Sequence, residues 1–369
     1  YRNQEIDILR GFAITAILIL HAGVLTQGLE DYPWLMTFVL RLSTGVQLFF
    51  VLSGYLVAQS MERCIAKGEG VTGFLLRRFV KLIPLYLLFL HIHIGLFFLA
   101  SAVAPDLPPL RNSVTTETLT IENYLSHLLF LQGFIPSKLH TLLDGSWSIV
   151  IEVYFYLFFA FVPNKAIQSS LSVFKFYAVS IGLAIACIVL IGRRHSGYSH
   201  YAFFAQFPCF LLGVWVWKIK NNPEFDVKFT QWSTSVATVS LLLALGFVKG
   251  ETKPLGDSNM YAILFALLLL SSRAIVLFLP IIVSKVIASF GRQSYAIFFV
   301  HLVLLKNWYV LASIYQIEII FWYALLLNMF IAIPLTWVIS YFIIDPIDRF
   351  FVTCADKSLE RRHFQQTNR

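Results

Sequence analysis

Apolar runs of bilayer length recur from one end of this chain to the other, and they leave little freedom in what it can fold into. A helix needs about 20 consecutive apolar residues to cross the hydrocarbon core. Segments such as IDILRGFAITAILILHAGVL, residues 6–25, reach that length. In lipid each backbone N–H and C=O must find a partner within the protein, so only helices and closed barrels span. The runs here are continuous rather than alternating, which points to helices. Charged residues make up 13% of the chain, against roughly 25% in a soluble domain.

Hydropathy therefore predicts an all-α polytopic membrane protein with about ten transmembrane helices. The expected spans are 6–25, 38–60, 79–102, 147–162, 173–191, 201–217, 232–248, one starting near Met260, 295–313 and 319–344. The first is expected to be a retained signal-anchor helix. Arg63, Lys67, Arg77, Arg78 and Lys81 gather between the second and third spans, and Lys218, Lys220 and Lys228 between the sixth and seventh. The positive-inside rule then puts both termini in the cytoplasm of a multi-pass protein of the cell (inner) membrane. Arg193, Arg194, Lys249 and Lys253 run against that pattern. The expected organisation is one integral membrane domain over 1–350 and a short cytoplasmic tail over 351–369. The net charge of +8 reads as topology rather than as nucleic-acid binding. The four cysteines form no CxxC pair, so neither a disulfide framework nor a metal site is expected. The longest non-apolar segment, 103–146, is expected outside, with IENYLSHLLFLQGF as a short amphipathic helix.

Arg10 and His21 share the first span and are eleven residues apart. At about 100° and 1.5 Å per residue, that spacing returns to nearly the same helix face roughly 16 Å further along. Ionisable groups inside a bilayer are costly and mark pathways or sites. The functional reading makes His21 a general base; the bland one makes it a packing histidine bonded to a neighbouring span.

Four further blocks stand out. In TGVQLFFVLSGYL, Gly45, Ser53 and Gly54 interrupt a bulky span, which close helix packing explains by itself. In FLLRRFVKLIPLYL, Arg77, Arg78 and Lys81 either mark topology or bind an anion, and Pro84 is expected to bend the helix. In DGSWSIVIEVYFYLFF, Glu152 sits inside an apolar span as a structural ion-pair partner or as an acid or base, and Trp147 is an interfacial anchor or a sugar-stacking face. In FGRQSYAIFFVHLVLL, His301 lies deep enough to approach the level of His21. His91, His93, His127, His140, His195, His200 and His363 have no companion pattern and read as structural, interfacial or loop residues. No HExxH, P-loop or GxSxG motif is present.

These blocks, in this order, resemble the acyltransferase-3 family of integral membrane acyltransferases. The resemblance implies transfer of an acyl group, usually acetyl, from cytoplasmic acetyl-coenzyme A to a hydroxyl of a glycan or lipid-linked sugar. It implies a co-substrate rather than a permanently bound cofactor, and no nucleic acid as partner. It assigns His21, Arg10 and Glu152 to catalysis and Arg77 and Arg78 to the donor, with Lys81 beside them as a further donor-binding candidate. Ser53, Trp147 and His301 are candidate substrate contacts, Ser53 also for a developing oxyanion. Two positions depart from the family pattern: Gln47 stands where an acid often precedes the FF pair, and Lys81 where a third arginine is expected. A secondary transporter with an intramembrane His, Arg and Glu pathway is the competing expectation.

Overall fold

A computed structural model describes residues 3–103, 114–162, 167–192, 198, 200–222, 254–314 and 320–367. Every regular element among the described residues is helical. The helices are α1 Gln4–Leu25, α2 Pro33–Arg41, α3 Gly45–Ala66, α4 Gly70–Val103, α5 Ile121–Leu128, α6 Ser146–Phe161, α7 Ser170–Gly192 and α8 Phe203–Lys220. They continue as α9 Pro254–Leu270, α10 Ser272–Phe278, α11 Ile281–Arg292, α12 Ser294–Ile314, α13 Phe321–Leu327, α14 Ile333–Ile339 and α15 Asp345–Thr367.

Five stretches among the described residues are long and apolar enough to cross a membrane: Gln4–Leu25, Pro33–Ala66, Gly70–Val103, Ser170–Ile191 and Phe321–Arg361. A sixth is added if the bent pair Ile281–Arg292 and Ser294–Asn307 forms one broken span. The protein is thus a multi-pass membrane protein. The expected fourth span is α6, with 16 residues. At about 1.5 Å per residue such a helix is shorter than a hydrocarbon core of roughly 30 Å. The expected seventh span, Arg193, Arg194, Lys249 and Lys253 lie outside the described residues.

Two expected spans differ in their local form. The run 38–60 is divided between α2 and α3 by a 3₁₀ turn over Leu42–Thr44. The last span contains two π-helical turns, Asn328–Ala332 and Ser340–Ile344. Each lies just ahead of a proline, Pro334 and Pro346. Proline lacks the N–H that bonds four residues back and its ring crowds that carbonyl; a widened turn relieves the crowding without ending the helix. By contrast α4 continues as one helix through Pro84.

The chain divides into two compact units, one of Tyr1–Ala13, Thr44–Leu75 and Ile151–Arg292, the other of Ile14–Ser43, Leu76–Val150 and Gln293–Arg369. The division falls inside α1, α4 and α6.

In the first unit α3 and α8 approach backbone to backbone. A Cβ on Gly54 would lie 1.9 Å from the carbonyl oxygen of Phe210, and one on Gly213 would lie 1.9 Å from that of Val51. Phe210 stacks between Phe50 and Phe155, at ring-centroid distances of 4.6 and 4.3 Å. Gln47 is buried here and donates to Gln206 Oε1 and Ser258 Oγ, both at 3.4 Å. The residue that replaces an acid therefore sits in a network of neutral amide and hydroxyl groups.

In the second unit Ala22 of α1, Leu305 of α12 and Ala332 form a small core. Asn328 donates to the Ala22 carbonyl at 3.3 Å and to Thr26 Oγ1 at 3.2 Å. The segment before α6 is tied down by buried polar groups. Gln132 donates to the Tyr86 hydroxyl at 2.8 Å, and Tyr86 donates to the His127 carbonyl at 3.3 Å. The expected amphipathic helix over 121–134 is α5 followed by a 3₁₀ turn at Leu131–Phe134, broken where Phe130 takes a φ of 57°.

Candidate functional site

In the second unit, the half-buried His21 of α1 meets His301 of α12. The gap between His21 Nδ1 and His301 Nε2 is 2.9 Å, and the rings stack with centroids 5.1 Å apart and an interplanar angle of 27°. His301 is completely buried, and its Nδ1 lies 3.0 Å from the carbonyl oxygen of Ile297, one turn back on the same helix. Both imidazoles come from apolar helices, so their mutual bond satisfies polar groups that lipid cannot.

Three ionisable residues surround the pair. Lys306, also on α12, forms an ion pair with Asp144, their side chains 13% and 20% exposed. Lys306 lies within electrostatic range of His21, Asp144 within range of His301, and both within range of His93 on α4. His93 Nδ1 lies 2.9 Å from the Phe89 carbonyl. In the sequence His93 has no companion pattern, and no recognisable motif singles out Asp144 or Lys306. Lys306 did carry a signal, since it is a lysine inside an apolar run, where an ionisable group asks for a partner.

The basic group on α4 belongs to the same unit. Arg77 is ion-paired with Asp356 of α15, with side chains 28% and 42% exposed. The Lys81 ammonium lies 5.4 Å from the centre of the Tyr295 ring. Arg78 is half-buried. An anion binding at Arg77 would therefore compete with a carboxylate that is already there. Trp147, second residue of α6, is half-buried.

In the first unit, Glu152 is buried, and one of its oxygens, Oε1, accepts two hydroxyl protons. Ser53 of α3 donates from 2.6 Å and Tyr156 from 2.5 Å. Tyr156 follows Glu152 by one helical turn, the spacing at which side chains meet, so it was recognisable from the sequence. A serine hydroxyl has a single proton. While Ser53 gives it to Glu152, none remains for an oxyanion. Arg10 is buried in the first half of α1. Glu5, five residues earlier on α1, is held by Lys220 at 3.3 Å and Arg273 at 3.7 Å.

Among the described residues no cluster of three or more His, Cys, Asp or Glu side chains is disposed to hold a metal ion. The chemical capacity of the second unit is thus imidazole acid–base or nucleophilic chemistry, with guanidinium and ammonium groups suited to anions.

Comparison with known proteins agrees with that capacity. The sequence model of the acyltransferase-3 family, described as an acyltransferase domain, matches residues 3–344. The chain is 25% identical over 346 residues to the O-acetyltransferase OatA of Staphylococcus aureus strain NCTC 8325 / PS 47, covering 85% of this chain and 54% of the relative. It is 24% identical over 321 residues to the putative O-acetyltransferase SACOL0978 of Staphylococcus aureus strain COL, covering 80% of this chain and 49% of that protein. The chain spans about half the length of these curated relatives. No solved structure matches.

Proposed function

The chain belongs to the acyltransferase-3 family, and on that premise we propose that it is a membrane O-acetyltransferase, moving an acetyl group from cytoplasmic acetyl-coenzyme A to a hydroxyl of an extracytoplasmic or lipid-linked glycan. The observation that carries the reading is the hydrogen-bonded imidazole pair of His21 and His301 within apolar helices. An imidazole there can take a proton from a hydroxyl and return it.

In the proposed reaction Nε2 of His21 takes the proton of the acceptor hydroxyl. The hydroxyl oxygen attacks the acetyl carbonyl, the C–S bond breaks, and the sulfur leaves with the bonding electron pair. The thiolate then recovers the proton from the imidazolium, so an O-ester and a free thiol result. If the acetyl group first moves to His21, the same nitrogen forms the acyl bond as the C–S bond breaks and the thiolate departs; the acceptor oxygen then attacks the acyl carbon, the C–N bond breaks, and the hydroxyl proton passes to the thiolate. Arg77, Arg78 and Lys81 are proposed to hold the donor phosphates, for which paired guanidinium donors are well suited. Arg10 and Glu152 are proposed to be required for catalysis, on the strength of the family pattern. The proposed topology has about ten crossings with both termini cytoplasmic, counting the shorter apolar helices as spans.

The test is acetyl-coenzyme A turnover by the purified full chain. His21→Ala is expected to lower kcat by about 10²–10⁴-fold, the range of a lost general base. Activity retained by that variant overturns the assignment. Coenzyme A is expected to raise the Tm of the wild type. An unmoved Tm would return the balance to the secondary-transport alternative.

A further inference from the structure

The hydrogen bonds around His301 determine which nitrogen of His21 can react. A carbonyl oxygen only accepts, so the ring nitrogen of His301 beside the Ile297 carbonyl, Nδ1 at 3.0 Å, carries a proton. In a neutral imidazole the other nitrogen then has only a lone pair. That other nitrogen, Nε2, lies 2.9 Å from His21 Nδ1. His21 must therefore donate from Nδ1. Its own neutral ring has no second proton, and Nε2 is left as a bare lone pair. His21 Nε2 has no hydrogen-bond partner among the described residues.

The inverse arrangement needs His301 as an imidazolium. That would bury a cation with no carboxylate on either ring nitrogen, and a buried unpaired charge is strongly disfavoured. The titratable groups facing the pair are Lys306 on α12, His93 on α4, and Asp144 ahead of α6. Asp144 is engaged with Lys306.

We propose that His301 is a positioning residue: by accepting the Nδ1–H of His21 it fixes the tautomer whose Nε2 lone pair reacts. The inference rests on His21 being the reactive base of the proposed O-acetyl transfer. In the hydrolytic triad a carboxylate orients the histidine. A neutral imidazole provides the same acceptor without placing a second charge in apolar surroundings. When His21 Nε2 gains a proton, the Nδ1–H···Nε2 bond to His301 becomes charge-assisted and strengthens. His301 thus stabilises the imidazolium it does not itself create, with no change in the number of protons on its own ring.

The first experiment needs no variant. The full chain, labelled with ¹⁵N histidine and purified in detergent, is read by NMR at neutral pH. His21, assigned as the signal lost in His21→Ala, is expected to show a protonated Nδ1 and an unprotonated Nε2. A protonated Nε2 in the wild type overturns the proposal. The second experiment compares His301→Phe with His301→Gln, whose side-chain carbonyl restores an acceptor. His301→Phe is expected to lower kcat by about 10²-fold with the donor KM within twofold, and His301→Gln to recover at least about tenfold of that loss. A kcat within twofold of wild type in His301→Phe overturns the proposal, as does a His301→Gln variant that folds and is no better than His301→Phe. Full activity in His21→Ala would instead sink the underlying assignment of the base, while the wild-type spectrum would still report whether His301 sets the tautomer.

Discussion

Ser53 and Glu152, ninety-nine residues apart in sequence, share a 2.6 Å hydrogen bond in the first unit, with the serine donating to a buried carboxylate oxygen. Tyr156 donates to the same oxygen. A buried carboxylate is tolerated when its lone pairs are met, and here two hydroxyls from two helices meet one oxygen. The FFVLSGYL and WSIVIE blocks are thereby two halves of one local arrangement.

Removing either donor leaves that carboxylate short of a partner. Ser53→Ala and Tyr156→Phe are each expected to cost about 1–3 kcal/mol, measured as a fall in Tm in detergent. Glu152→Gln separates support from catalysis. A stably folded Gln variant that keeps full kcat would reduce Glu152 to a structural acceptor, whereas the proposed function expects a loss of about 10²-fold.

The close approach of α3 and α8 gives a second prediction. An added Cβ at Gly54 meets a backbone carbonyl oxygen at 1.9 Å, and no flexible side chain stands there to move aside. Gly54→Ala is expected to destabilise at or above the upper end of about 1–3 kcal/mol for overpacked interiors. The yield of monodisperse protein and its Tm check this. A wild-type Tm would mean that the two helices separate readily.

Arg77 and Asp356 offer a third. The pair is partly exposed, so it contributes little to stability, about 0.2–1 kcal/mol. It does occupy a proposed donor-binding cation. Asp356→Asn is expected to lower the donor KM by about two- to fivefold, and Arg77→Gln to raise it, with both effects shrinking at high ionic strength. Steady-state kinetics at two salt concentrations decide the matter. An unchanged donor KM in both variants would remove Arg77 from the donor site.

Local features of this site were legible in the sequence, and contacts between distant segments were not. Helical period and hydropathy are local properties, so the placement of Arg10 and His21 on one helix and of His301 deep in another followed directly from them. Tyr156, one turn from Glu152, and Lys306, a cation in an apolar run, were within reach of the same rules. The Arg77–Asp356 pair joins residues 279 apart, and the neutral partners of Gln47 lie 159 and 211 residues away. No periodicity encodes such separations. The expected span lengths suffered for a related reason. Hydropathy averages over a window and reads through the turn at Leu42–Thr44 and the π turns ahead of Pro334 and Pro346, which depend on backbone sterics at single residues.

The last prediction concerns His127, which lies in α5 outside the candidate membrane spans. It is completely buried, with Nδ1 3.0 Å from the Asn123 carbonyl and Nε2 2.7 Å from the Thr141 carbonyl. Burial pushes its pKa below the ordinary imidazole value, outweighing the two carbonyls, which pull upward. The unfolded segment titrates near the unperturbed value of about 6.5. Above that pH neither state holds the extra proton, and the histidine's contribution to the fold is present in full. As pH falls below about 6.5, the unfolded segment takes up a proton that the folded one refuses, so stability declines until the folded pKa is reached. Backbone amides of α5 and of the segment through Leu143 are therefore expected to lose hydrogen-exchange protection between pH 7.5 and 5.5, after correction for intrinsic exchange. In His127→Gln, whose side chain does not titrate, that pH dependence should flatten. Protection that rises on acidification in the wild type would show that the two carbonyls hold the imidazolium and that burial is the weaker effect.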